Sequence, residues 1–191
     1  RLENQDWKRV NEAISRLADT KMYIDDTSGQ TISEIRAKCR RLANSENGLD
    51  IVFIDYLQLI NGSNRYAGQR QQEVSEISRA LKTMAMELKV PVIALAQLSR
   101  NAEKRESNQP MLADLRESGS IEQDADMVLF INRSDYYKAK EQLDGSKNVV
   151  ADIIIAKHRK GSTGKFQLLF ELNMSNFRNY LATETEGLEN E

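Results

Sequence analysis

Apolar residues along this chain fall into two periodicities. Trp7, Val10, Ile14 and Leu17 recur at spacings of three and four, which predicts one apolar face of a helix from about Asp6 to Ala18, with Asp6 or Asn4 placed to cap it. Ile32, Ile35, Cys39 and Leu42 repeat that spacing, and Thr31 and Glu34 before them stand at the separation of a capping box. Val74, Ile77, Leu81, Met84 and Leu88 mark a third amphipathic helix ending near Lys89, with Met84 and Met86 read as core filler. Between these helices lie continuous apolar runs at 49–59 (LDIVFIDYLQL), 91–97 (PVIALAQ) and 127–132 (MVLFIN). Short runs of this kind, bounded by turn residues such as Asn47-Gly48 and Asn61-Gly62, suit strands buried on both faces of a parallel sheet.

Residues 21–25 (KMYID) form a short strand candidate, and 111–125 reads as two short helices broken at Gly119. Residues 149–157 and 165–172, flanking Gly161-Ser162-Thr163-Gly164, read as a β-hairpin. Helix and strand thus alternate and finish in an antiparallel pair. The order predicts an α/β fold, a mainly parallel twisted sheet flanked by helices with an antiparallel hairpin at one edge.

Composition adjusts this picture only slightly. The chain has 191 residues, 40% hydrophobic and 29% charged, with a formal net charge of −2, so any nucleic-acid binding has to come from local loops or from a site focused by assembly. No apolar run is long enough to span a bilayer. Cys39 is the only cysteine, which excludes an internal disulfide, fits a reducing compartment such as the cytoplasm, and reads as a small core residue. The stretch after Ala182 holds Glu184, Glu186, Glu189 and Glu191 without a basic residue. It is expected to be a disordered acidic tail over 182–191, leaving 1–181 as the domain.

Candidate chemistry gathers at strand ends. Asp55 ends the first long apolar run, and in open α/β sheets ligands collect at the carboxyl ends of strands. A carboxylate there suits the ordering of the Mg²⁺ of a bound nucleoside triphosphate; the other reading is a cap on the following turn. Gln97 ends the next run, and a neutral amide beside a triphosphate can bond the γ-phosphate or orient the attacking water; otherwise it is a polar strand terminator. Lys157 and Arg159 project to one side of the hairpin end and His158 to the other. Two cations aimed together suit an anion, as an arginine finger with a supporting lysine, or they form a solvated turn. Arg116, Glu117, Ser118, Gly119 and Ser120 span the helix break, where freed backbone N–H groups, a cation and a glycine suit a phosphate; an ordinary helix–helix turn fits equally. His158 is the only histidine, so a histidine-based metal site or triad has little to build from.

The pattern G-x-x-x-x-G-K-[ST] does not occur, and GSTGK at 161–165 is too short and lies in a hairpin. A Mg²⁺-ordering aspartate without a phosphate-cradling loop is half a site.

Taken together, DDTSGQTISEIRAKCRRL, IVFIDYLQLI, IALAQLSR, ADLRESGSIEQDADMVLFI and AKHRKGSTGK resemble the carboxyl-terminal RecA-like motor domain of bacterial replicative DNA helicases of the DnaB type, from the first helix to about Tyr180. The resemblance implies a RecA-like fold, with Asp55 as the Walker-B residue and Gln97 as the γ-phosphate sensor. It implies that Arg159, with Lys157, is a finger reaching a neighbouring subunit's nucleotide, and that Arg116, Glu117 and Gly119 lie on a loop gripping single-stranded DNA. It further implies ATP and Mg²⁺ as cofactors, a homohexameric ring, and primase and a helicase loader as partners. The family's phosphate loop, its water-activating glutamate and its amino-terminal collar precede the matched segment. The expectation is therefore a fragment that alone neither binds ATP normally nor unwinds DNA. Two other readings compete: a non-catalytic single-strand-binding or scaffold module, and another RecA-like ATPase of recombinase type. A scaffold needs none of Asp55, Gln97, Lys157 and Arg159, and the SGSIEQDAD block and KHRKGSTGK hairpin favour the helicase.

Overall fold

The computed structural model describes residues 4–62, 66, 68–99, 109–133 and 148–180, the side chains of 4 and 116–118 excepted. The polar stretches 101–108 and 134–147, whose sequence suits a loop and an irregular excursion, lie outside these residues, as do the acidic tail expected over 182–191 and part of the polar, glycine-bearing stretch 61–70, whose sequence suits a loop.

Helix α1 runs Asn4–Ala18. Its apolar face is where the spacing puts it, but Trp7, Val10, Ile14 and Leu17 are all exposed. The strand expected over 21–25 does not form. Those residues meet no ladder partner among the described ones, and Asp25 instead organises a turn. Its carboxylate accepts from Thr27 N (3.2 Å) and Thr27 Oγ1 (2.7 Å) and from Lys38 Nζ (2.6 Å); Lys38, then Thr27, hold the Asp25 carboxyl well below the usual range.

Helix α2, Ile32–Ala43, opens with the capping box its sequence announces. Glu34 N donates to Thr31 Oγ1 and Thr31 N donates to Glu34 Oε2 (2.7 Å). Helix α3, Arg70–Leu88, ends on Lys89 in the left-handed region (φ 55°), whose N–H donates to Ala85 O. Arg36 and Arg40, one turn apart on α2, both bond Glu87 of α3. Beneath this clamp Ile32, Cys39, Leu57, Ile60, Val74, Ile77, Leu81 and Met84 form the main core. Cys39 is buried there, and burial, with Asp25 second, raises its thiol pKa. Met84 is a core residue as expected; Met86 is not, being 61% exposed on the opposite face.

The first apolar run contributes far less strand than its length suggests. Strand β1 is Val52–Ile54, followed after Asp55 by a 3₁₀ turn at Leu57–Leu59. It pairs in parallel with β2, Val92–Ala94, in the register Val52↔Val92, Phe53↔Ile93, Ile54↔Ala94. Pro91 sits immediately before β2, where no ladder donor is lost. The expectation of burial on both faces is corrected: Val52, Ile54 and Val92 pack on the α2–α3 core, whereas Phe53 is 64% exposed and Ile51, Ile93 and Leu95 are also exposed.

A 3₁₀ helix, Leu112–Ser118, runs directly into α4, Gly119–Asp124. Strand β3 (Met127–Asn132), β4 (Asn148–His158), β5 (Gly164–Glu171) and β6 (Asn176–Asn179) then form an antiparallel sheet in that order. The hairpin is as expected; β6 is an addition, reached through Ser175 at φ 50° and joined to β5 by Phe170 against Phe177. The α/β class holds. Its described ladders comprise one parallel pair and three antiparallel ones, because β3 pairs with the incoming hairpin strand. Val128 and Phe130 of β3 bury against Leu115, while Met127, Leu129 and Ile131 are exposed. Ile121 of α4 packs on both the main core and this second cluster, and so joins the halves.

Candidate functional site

Asp55 stands just beyond β1, exposed, on a cis peptide bond to Tyr56. Two backbone hydrogen bonds bracket it: Leu95 N donates to Ile54 O (2.9 Å) and Leu57 N donates to Leu95 O (2.9 Å). Its carboxylate makes no hydrogen bond or ion pair with any described residue. A buried charge demanding compensation is therefore not the reason for this aspartate; it is held at the end of the parallel pair with its oxygens open to an incoming group.

Gln97 lies past β2 on the same end of that pair, also exposed. A residue the sequence did not single out fixes it there. Gln58, in the turn after Asp55, donates from Nε2 to Gln97 O (3.1 Å) and accepts from Gln97 N at Oε1 (3.2 Å). Gln58 is itself anchored, since Arg70 Nη2 donates to its carbonyl (2.6 Å) while Arg70 Nη1 pairs with Glu73 (3.1 Å). A primary amide carries a donor and an acceptor side by side, which suits a two-way bond on the backbone N–H and C=O of one residue. Nothing along the chain marks Gln58 for that role.

Lys157 and Arg159 do share one side of the hairpin end. Both reach Gln123 O at the carboxyl end of α4, Lys157 Nζ at 3.3 Å and Arg159 Nη2 at 3.0 Å, and Lys157 Nζ also bonds Glu122 O. The negative end of a helix suits cations. Asp126 adds a carboxylate 3.2 Å from Arg159 Nη1 and bonds Lys82 Nζ. Lys82 first, then Arg159 and Lys157, hold the Asp126 carboxyl below its ordinary range. A register shift opposite Val128/Leu129 leaves Ala156 unpaired. Such a bulge re-aims the residues beyond it, and it is invisible in the sequence. The His158 ring lies over the turn: a Cβ at Gly161 would meet its Cε1 and Nδ1, so a larger residue there must push the ring aside.

The two short helices expected over 111–125 are present and meet at Gly119, but no non-helical residue separates them: Gly119 is right-handed (φ −50°, ψ −18°), and the 3₁₀ helix gives way there directly to α4. Nothing lies within 4 Å of a Cβ built at Gly119, so neither conformation nor packing within the described residues requires glycine at this position.

The structure thus brings Asp55 together with Gln97, and Lys157 together with Arg159. Among the described residues no hydrogen bond or ion pair joins the first pair to the second. No three of His, Cys, Asp and Glu gather into a metal site among the described residues. A Mg²⁺ at Asp55 would take its remaining ligands from water and phosphate, the usual arrangement for that ion.

This mixed α/β fold is that of solved ATPase-domain structures. One of them, described as an ATPase domain, superposes with a TM-score of 0.83 at 40% identity, covering 94% of this chain and 62% of that one. A DnaB-like replicative helicase solved for its interactions with primase gives the same TM-score and identity over 94% of this chain and 43% of that one. The DnaB-like helicase C-terminal domain model matches residues 1–179, and the chain belongs to that family. It is 53% identical over 178 residues to the replicative DNA helicase DnaC of Bacillus subtilis and 52% identical over 179 residues to the replicative DNA helicase DnaB of Geobacillus stearothermophilus. It spans 38% of the length of each.

Proposed function

We propose that this segment is part of the ATP-dependent motor of a hexameric replicative DNA helicase, which moves along single-stranded DNA and unwinds duplex in the cytoplasm. The observation that carries the reading is the division of the site: an open acid and a clamped amide on one strand pair, and two cations gathered on another sheet, with no hydrogen bond or ion pair between the two sets among the described residues. A site split in this way is completed between adjoining copies. In this reading Asp55 holds Mg²⁺, and the ion's role when bound is to neutralise charge on the β- and γ-phosphates. Gln97 bonds the γ-phosphate, and Arg159, supported by Lys157, stabilises charge at the neighbour's nucleotide. A phosphate-binding loop outside the matched segment supplies the cradle that this sequence lacks. Arg116, Glu117 and Gly119 contact the DNA backbone, and the open space around Gly119 supports close approach. Primase and a loader are the proposed partners, the former in keeping with the solved relative.

In the full-length protein, Arg159→Ala is expected to remove nearly all hydrolysis while leaving nucleotide binding largely intact. Mixing Arg159→Ala subunits with Asp55→Ala subunits is expected to restore part of the activity, because some mixed interfaces then carry a sound acid and a sound arginine. Absence of any rescue would sink the shared-site reading.

A further inference from the structure

Resting on the finger reading above, we infer that Asp126 is the positioning residue for Arg159. It lies in the two-residue link between α4 and β3, and it holds the arginine at two levels. Arg159 N donates to Asp126 O (2.8 Å), fixing where the residue leaves β4. The Asp126 carboxylate Oδ1 stands 3.2 Å from Arg159 Nη1, fixing the far end of the side chain. Gln123 O, three residues earlier, takes Nη2 at 3.0 Å. Asp126 is steadied from a third element, since Lys82 of α3 bonds its Oδ2.

Arginine carries five N–H donors on a long, mobile stem. Two anchors on its tip remove most of the rotamer freedom that an incoming phosphate would otherwise have to quench, and they do not use all five donors. The pair is exposed, 47% at Arg159 and 59% at Asp126, and exposed ion pairs add little to folding stability. The geometry therefore serves aim more than stability, and the two can be separated by experiment.

The test uses the full-length helicase carrying this segment, with Asp126→Ala, Asp126→Asn, Arg159→Ala and the Asp126→Ala/Arg159→Ala double variant. Asp126→Ala is expected to lower kcat for ATP by on the order of ten- to a hundredfold, with KM, nucleotide affinity, ring assembly and thermal midpoint unchanged. The double variant is expected to match Arg159→Ala within about twofold, the mark of one residue acting through the other. Asp126→Asn, which keeps an acceptor for Nη1, is expected to recover part of the rate. Should Asp126→Ala unfold, Asp126→Asn carries the same comparison against Arg159→Ala. Wild-type kcat in Asp126→Ala beside a crippled Arg159→Ala overturns the positioning role and leaves the finger standing, as does a double variant whose losses multiply. Wild-type kcat in Arg159→Ala overturns the finger reading itself.

Discussion

Replacing Gln58 with alanine removes both bonds that hold the Gln97 backbone, at 3.1 and 3.2 Å, without touching either Asp55 or the Gln97 side chain. A neutral hydrogen bond is worth about 0.5–1.5 kcal/mol net. The clamp is partly open to water, which replaces some of what is lost, so the pair together amounts to about 1–2 kcal/mol. If that free energy goes into holding Gln97 against the γ-phosphate, turnover falls by roughly 5- to 30-fold. Steady-state ATP hydrolysis by the full-length protein, with and without single-stranded DNA, reads kcat, and a fluorescent non-hydrolysable analogue reads binding. The expected result is a lower kcat at nearly constant affinity, with thermal midpoint little changed. A wild-type kcat would refute the reasoning. A lowered midpoint with full activity at permissive temperature would make the clamp a brace for β2 and nothing more.

Arg116→Ala is expected to weaken binding of single-stranded DNA of every sequence and to reduce the slope of log affinity against log salt by about one unit or less; a sequence-selective defect would contradict a phosphate contact. Gly161→Ala is expected to displace the His158 ring and lower turnover, and adding His158→Ala should relieve the clash and recover part of it; a silent Gly161→Ala would show that the ring has no bearing on the turn. Glu87 is held below its ordinary range chiefly by Arg36, with Arg40 following, and Asp25 chiefly by Lys38. The unfolded chain therefore binds more protons in acid, so this stabilisation is complete above about pH 5 and is lost as pH falls through the folded values. Thermal midpoint measured from about pH 6 to 3 should drop, and Glu87→Gln should flatten part of that drop; an unchanged profile would discount the Arg36–Glu87–Arg40 clamp.

The helices were legible because their signals are local. Thr31 and Glu34 cap α2 within one turn, and the spacing from Val74 to Leu88 survives intact in α3. Each helix is specified by neighbours three or four residues apart. The strands were less so. Phe53, Ile93 and Leu129 look like residues covered on both sides, but what covers a strand lies elsewhere in the chain or beyond it, and only one side is covered among the described residues. The run 21–25 has strand composition without a described partner, and composition alone makes no ladder. Residue type singled out Asp55, Gln97, Lys157 and Arg159 as candidates, since few side chains suit a phosphate. The residues that hold them, Gln58 and Asp126, were missed because a supporting bond depends on which backbone atoms the fold sets opposite each other. Gly119 marks the boundary between two short helices as its residue type suggests, but the conformational freedom of glycine goes unused, since the residue is right-handed.

The separation of the acid–amide pair from the cation pair carries a genetic corollary. On the shared-site reading proposed above, a copy lacking Arg159 is expected to spoil its neighbour's turnover and keep its own, whereas a copy lacking both Asp55 and Arg159 would silence two junctions of the ring at once. Co-expressed with the wild type, the double allele should therefore be the stronger dominant poison, and the two single alleles should complement when paired.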